Sequence, residues 1–328
     1  MTVHEVLSRL PDPVAERLAA HRLDAERLAP VLDWPADAAV LLAGSFAESM
    51  QTSASDLDFL VLREDGPGVR HLGTERGLAG VDIQTSTLVD RILAPIGGVE
   101  FDVLLLTRVR MAELAGALRT SVDADGTIRS LPVLRYLEDK LLCRLYDGVV
   151  LQNDAVVADW RRDLRLDHFP ALLTAGLISD TLSLLEDAVT MPLPRSKGGL
   201  DTPFGGMIAA RSAAERLVRA AVTATGTVGW DLRYATLYRD RLAATDAEVP
   251  AALAAVEELL FPARPGADGS TRADLDTYIR VIAAHVRPLI DGLDGRPGMG
   301  AALQFLRAFG RDRWSIDHDL IDLSEGSR

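Results

Sequence analysis

Apolar residues in the first sixty positions follow helical spacing and then extended spacing. Leucines and alanines recur three and four residues apart over 3–29, which predicts one or two helices interrupted at Pro11-Asp12-Pro13. A continuous apolar run follows at 38–43, and a second run, which contains Asp58, predicts a strand over 57–63; each has the length of a buried strand. Between them, the pattern predicts a short helix over 45–50.

The next sixty residues carry a more mixed pattern. Residues 81–85 alternate and predict a strand, and the apolar run 99–106 predicts a second one more strongly. Residues 88–96 are interpreted as a short helix that Gly97-Gly98 ends, and a further helix is predicted over 110–118. These elements form a small mixed sheet with helices packed against it.

From Pro132 onward the apolar period is helical almost throughout, apart from a short strand predicted at 149–151. The sequence therefore predicts an α+β domain over 1–130, followed by an all-α helical-bundle domain over 131–328. The length of 328 residues fits two compact domains. The predicted helices of the second part cover residues 132–147, 154–163, 168–190, 206–225, 231–243, 248–261, 271–290 and 299–310.

Candidate chemistry is concentrated around the first two predicted strands. Gly44-Ser45 follows the first strand, and glycine allows a phosphate to approach the backbone closely. Asp56-Leu57-Asp58 opens the second strand, where residues two apart point to the same face, so that two carboxylates lie side by side. Oxygen ligands of this kind suit Mg²⁺, which also takes substrate phosphates as ligands. The combination predicts a site for a nucleoside triphosphate.

This arrangement resembles the signature of the DNA polymerase β-like nucleotidyltransferase superfamily. Gly44-Ser45, ten intervening residues and then Asp56-Leu57-Asp58 between two apolar runs match it, and the resemblance covers roughly residues 36–110, more loosely through 153. It implies a nucleotidyltransferase domain that moves a nucleoside monophosphate from an NTP to an acceptor hydroxyl and releases pyrophosphate. In this reading Asp56 and Asp58 hold two Mg²⁺ ions, and Gly44 and Ser45 hold the β and γ phosphates.

The signature also implies a third carboxylate on a later strand, for which Asp82 and Asp102 compete. Asp102 is preferred because it begins a strand so apolar that it is expected to be buried on both faces. A charge there must be paired or bound to metal. Asp82 lies in a more polar segment, where an edge strand would leave it solvated.

Basic residues for the triphosphate are sought on the first helix after the sheet. Lys140 and Arg144 lie four residues apart on one face of that helix, where the resemblance implies a basic residue facing the nucleotide. The alternative is a solvated basic face. Arg195 and Lys197, in a Gly- and Pro-rich segment, belong to a binding loop or to a plain connector. The general base is left open among Asp180, Glu186 and Asp187.

The composition favours one class of acceptor and one cellular compartment. The net charge of −13 disfavours nucleic acid as a binding partner, because nucleic acid binds to a basic surface. It favours a small-molecule acceptor such as an antibiotic or secondary metabolite. A protein or tRNA target, and a non-catalytic nucleotide-binding module, are the alternatives. With one cysteine, no basic-then-apolar leader pattern and no apolar run of membrane-spanning length, the chain is expected to be cytoplasmic and to have no membrane partner. The preferred NTP and the oligomeric state are not predicted.

Overall fold

The structure is a computed structural model, and it describes residues 2–52, 55–64, 81–190, 204–228 and 272–313. A mixed sheet with flanking helices precedes a set of long helices, which confirms the predicted fold class. Some of the predicted features lie outside the described residues, namely Arg195, Lys197 and the helices expected at 231–243 and 248–261.

The described residues divide into two compact units. The first contains the chain up to Thr120 together with Leu134–Asp167, and the second contains Ser121–Val133 and the chain from His168 onward. Residues 134–167, which the sequence analysis grouped with the helical part, therefore pack with the sheet. The sequence also predicts a catalytic nucleotidyltransferase domain over 1–130 and a helical domain over 131–328 that binds the acceptor or acts as a lid, and this division stays a prediction.

A six-stranded sheet forms the centre of the first unit, in the order β3-β4-β5-β2-β1-β6. Among the described strands, β2 and β5 run parallel, and the other neighbouring pairs are antiparallel. The strands predicted from the apolar runs are all present. Their bounds are Ala39–Ala43 (β1), Leu57–Arg63 (β2), Asp82–Thr85 (β3), Asp90–Ile96 (β4), Val99–Thr107 (β5) and Val149–Gln152 (β6).

The helix predicted over 88–96 is wrong, because this segment forms β4. Its residues alternate between buried and less buried positions, which is the period of a strand. Gly97 and Gly98 both have positive φ, at 57° and 84°, and they form the two-residue turn of a β4–β5 hairpin rather than a helix end. Among the described residues, β3 pairs with Asp90–Leu93 of β4, and Pro95 lies beyond these pairs.

One face of the sheet packs against the three N-terminal helices. Val14, Leu28 and Leu32 of these helices join Phe59 and Phe101 of the sheet in a continuous apolar core. Leu57 and Phe59 point into this core, as the alternation predicts, and therefore Asp58 points to the opposite face. The helices of the first unit are Val3–Leu7 (α1), Asp12–Ala20 (α2), Ala25–Leu32 (α3), Gly44–Ala47 (α4), Arg108–Ser121 (α5), Tyr136–Asp147 (α6) and Asp154–Asp163 (α7).

Long helices make up most of the described part of the second unit. They pack against one another around buried alanine, leucine and isoleucine side chains. The stretch Leu166–Val189 is long and apolar enough to cross a membrane, but 72% of its apolar window is buried inside the structure, which is the position of a core helix. The helices are Phe169–Thr190 (α8), Phe204–Thr223 (α9), Arg272–Asp291 (α10) and Gly300–Arg313 (α11).

Candidate active site

Three carboxylates converge at the start of the two parallel strands. Asp58 on β2 lies directly opposite Asp102 on β5, and Asp56 comes just before β2. One carboxylate oxygen from each residue lies within 4.8 Å of the other two. Asp58 and Asp102 are 4% and 1% exposed, while Asp56 is half-buried. The sheet therefore holds a cluster of three negative charges largely away from water.

Gly44 presses its backbone against one of these carboxylates. Ala43 is paired with Asp58 across the β1–β2 ladder, so that the turn after β1 begins beside that side chain. Gly44 has a φ of +66°, and a Cβ placed on it would lie 2.1 Å from Asp58 Oδ2. No other amino acid fits this position without moving the carboxylate. The Gly-Ser motif and the Asp-x-Asp motif thus meet in one place.

Arg91 on β4 binds the third carboxylate through both of its oxygens. Its Nε donates to Asp102 Oδ1 at 2.7 Å and its Nη2 donates to Oδ2 at 3.0 Å. Leu93 is the residue paired with Asp102, and Arg91 lies two positions before it, on the same face of the sheet. Sequence reasoning missed Arg91 because it assigned this segment to a helix. The signal available was a lone basic residue followed by an apolar segment.

Arg144 reaches the same cluster from α6. Its Nη2 donates to Asp58 Oδ1, and its Nη1 lies 3.7 Å from Asp102 Oδ2. The helix end that carries it is fixed in two ways. Arg161 donates to the carbonyls of Leu145, Tyr146 and Gly148. A Cβ on Gly148 would lie 3.0 Å from the Leu41 side chain, so that glycine allows the helix to end close to β1.

The two buried carboxyl groups of the cluster, those of Asp58 and Asp102, have pKa values that are shifted in opposite directions. Burial raises the pKa of Asp58 to about 7; the charge of Arg144 opposes this rise, and Asp56 and Asp102 add to it. Burial also opposes ionisation of Asp102, but the hydrogen bonds from Arg91 and the charge of Arg144 outweigh it and hold the pKa of Asp102 below its usual range. The ionised form of Asp102 is therefore favoured, whereas burial disfavours the ionised form of Asp58.

The remaining predicted residues differ in their exposure and in their distance from this cluster. Ser45 is buried in the single-turn helix α4. Lys140 is half-buried one turn before Arg144, and burial, followed by the charge of Arg144, lowers its pKa. Asp82 is exposed on β3, two strands from Asp102, and accepts a hydrogen bond from Gln84 at 2.8 Å. The structure thus brings Asp102, and not Asp82, to Asp56 and Asp58.

The general-base candidates lie on α8 in the second unit. Asp180 Oδ2 is 3.8 Å from Arg216 Nε, and burial raises the pKa of Asp180 against the opposing charge of Arg216. Asp180, Glu186 and Asp187 all belong to the helix Phe169–Thr190. Their part in any reaction stays a prediction.

The carboxylate cluster fits a divalent cation. Its donors are all oxygen, which matches the ligand preference of Mg²⁺. Burial, with the neighbouring charges of Asp56 and Asp102, raises the pKa of Asp58 despite Arg144, and a bound cation would favour its ionised form. Asp56, Asp58 and Asp102 are the residues that could hold such an ion.

Comparison with known proteins adds little to this picture. No protein-family model matches the chain, and none of the curated proteins matches it. A similar solved structure is that of a nucleotidyltransferase-like protein from Exiguobacterium sibiricum 255-15. The two are 13% identical, with a TM-score of 0.36, over 92% of this chain and 82% of that one. The likeness is too distant to assign a function, so the proposal that follows depends on the residues of the site.

Proposed function

We propose that this chain is a Mg²⁺-dependent nucleotidyltransferase. It moves a nucleoside monophosphate from an NTP to an acceptor hydroxyl and releases pyrophosphate. The observation that carries the proposal is the convergence of Asp56, Asp58 and Asp102 within 4.8 Å beside the close-packed Gly44 turn. Like charges this close are costly unless cations offset them, and the two guanidiniums at the cluster, those of Arg91 and Arg144, face three carboxylates.

In this proposal, different residues of the site bind the metal and the triphosphate. Bound Mg²⁺ would offset charge on the phosphates and lower the pKa of the attacking hydroxyl. Asp56, Asp58 and Asp102 would be its ligands, and Arg91 would hold Asp102 ionised and in a fixed orientation. Gly44 and Ser45 supply backbone for the β and γ phosphates in this proposal.

Lys140 supplies a positive charge on the helix that faces the cluster. Burial is the main cause of its lowered pKa, and the charges of Arg144, Asp58 and Asp102 also act on it, which supports a position near the cluster. We assign it to the triphosphate, where a cation stabilises charge that develops on the departing pyrophosphate.

A small hydroxyl-bearing molecule is the acceptor we favour. The net charge of −13 would repel a polyanion such as tRNA and would attract an amine-bearing compound. The second unit, with its long helices, is proposed to supply the acceptor site or a cover over the nucleotide.

Incubation with each α-labelled NTP and a panel of acceptors tests the reaction itself. The panel should contain aminoglycoside-like and other hydroxylated small molecules, bulk tRNA and the protein alone, with mass spectrometry of every fraction. A mass increase of one nucleoside monophosphate on a small molecule, absent with Asp58→Asn, supports the proposal. Labelling of tRNA or of the protein would support nucleotidyl transfer but would identify an acceptor other than a small molecule. Labelling that persists in Asp58→Asn contradicts the assigned site.

A further inference from the structure

Arg144 lies against two of the carboxylates that are proposed as metal ligands. Its guanidinium contacts Asp58 and approaches Asp102, and its side chain is only 12% exposed. A cation ligated by both of these residues would have to share their oxygens with this guanidinium. The expectation from sequence was different, because it placed Arg144 on the nucleotide.

The two arginines at the cluster are bonded in different ways. Arg91 forms a complete fork with Asp102, in which Nε and Nη2 each contact one oxygen. Arg144 contacts Asp58 through Nη2, but its Nη1 is buried, lies 3.7 Å from Asp102 Oδ2 and has no hydrogen-bond acceptor among the described residues. A buried N–H without an acceptor destabilises the arrangement that leaves it so. Arg144 is therefore incompletely satisfied where it lies.

We propose that Arg144 is a displaceable counterion, which neutralises Asp58 and Asp102 in the metal-free protein and donates to the triphosphate once the metal is bound. This inference rests on the function proposed above. A phosphate oxygen would give the Nη1 donor the acceptor that it lacks. Arg91 stays with Asp102 in both states because its fork is already complete.

Competition between the metal and Arg144 for the carboxylates couples metal binding to nucleotide binding. The metal alone must displace a buried guanidinium whose Nη1 has no hydrogen-bond acceptor in the described part of the chain, so that it binds weakly. A triphosphate gives the guanidinium a second partner and so favours metal entry. By linkage, the metal strengthens triphosphate binding by the same factor.

Binding of Mn²⁺ to the full chain without nucleotide tests the competition. Free Mn²⁺ is measured by electron paramagnetic resonance for wild type, Arg144→Gln and Arg9→Gln. Arg144→Gln should bind Mn²⁺ at least about tenfold tighter than wild type, because its competitor is removed. Arg9→Gln is the control for net charge, since Arg9 pairs with Asp154 at 3.3 Å on the surface, and it should bind as wild type does.

A second measurement does not depend on the folding of Arg144→Gln. Inorganic tripolyphosphate is titrated, in excess EDTA, into Asp58→Asn and Asp56→Asn. Both variants remove one carboxylate from the cluster, but among the described contacts only Asp58 accepts a hydrogen bond from Arg144. Asp58→Asn removes the charge that holds the guanidinium and should bind tripolyphosphate severalfold tighter than Asp56→Asn.

The outcomes separate this inference from the proposed function. Equal Mn²⁺ affinity of wild type and Arg144→Gln, or equal tripolyphosphate affinity of the two Asp variants, overturns the displaceable counterion and leaves the metal site standing. Absence of Mn²⁺ binding in every variant, with and without an NTP analogue, removes the metal site, and the proposed function falls with it.

Discussion

Gly44→Ala tests the contact that joins the two motifs. The added Cβ would lie 2.1 Å from Asp58 Oδ2, on a backbone with φ of +66°. A side chain in the left-handed region costs about 1–2 kcal/mol. Overpacking in a tight site costs about 1–3 kcal/mol more. We expect the free energy of unfolding to fall by about 2–5 kcal/mol. Transfer should fall by about 100-fold, because the carboxylate must move by an ångström or so.

Two glycines in the same unit separate these costs. Gly98 has a φ of +84°, but its Cβ would meet only ordinary contacts with His21 at 3.5 Å, so Gly98→Ala should show the backbone cost alone. Gly116 lies in α5 with open space around it, and Gly116→Ala should stabilise the protein by about 1 kcal/mol.

Urea denaturation of Gly44→Ala in wild-type and Asp58→Ala backgrounds completes the cycle. The loss should shrink to the Gly98→Ala value when the Asp58 carboxylate is absent. If Gly44→Ala costs the same in both backgrounds, Gly44 does not press on Asp58, and the geometry of the site is wrong.

Three further predictions concern the cluster and the first unit. Asp102→Ala should abolish transfer while Asp82→Ala retains it, measured under identical NTP and Mg²⁺ concentrations; the reverse result would exchange their roles. Because the pKa of Asp58 is raised from 3.8 to about 7, the metal-free protein binds more protons folded than unfolded over that range. Its free energy of unfolding should therefore fall as pH rises from about 4 to 7, and an equal fall in Asp58→Asn would refute the assignment. A fragment of residues 1–167 carries all six strands that the structure describes and should unfold cooperatively in urea, whereas 1–130 lacks β6 and α6 and should not; a cooperative 1–130 would show that these elements are dispensable.

Much of the sheet could be predicted because its chemistry is local in sequence. The segments that form β1, β2 and β5 are mostly apolar, and Asp-x-Asp at the start of a strand predicts two carboxylates on one side. Asp102 was preferred over Asp82 because of the apolar residues that follow it, and the structure places it in the cluster.

The partners of the carboxylates could not be predicted in the same way. Arg91 was hidden by the wrong assignment of β4, where Gly97-Gly98 was interpreted as a helix end although two consecutive positive φ values form a hairpin turn. The contact of Arg144 with Asp58 joins residues 86 positions apart, and it depends on how Gly148 and Arg161 fix the end of α6. Spacing within one helix carries no information about such a contact.

Binding of non-hydrolysable NTP analogues tests the central claim most directly. Calorimetric titration of ATP, GTP, CTP and UTP analogues, each in Mg²⁺ and in EDTA, is compared for wild type, Asp58→Asn and Asp82→Asn. At least one analogue should bind wild type and Asp82→Asn only with Mg²⁺, and Asp58→Asn should bind it at least about tenfold more weakly. If no analogue shows Mg²⁺-dependent binding to wild type, or if Asp58→Asn binds as tightly as wild type, the cluster is not a metal–nucleotide site.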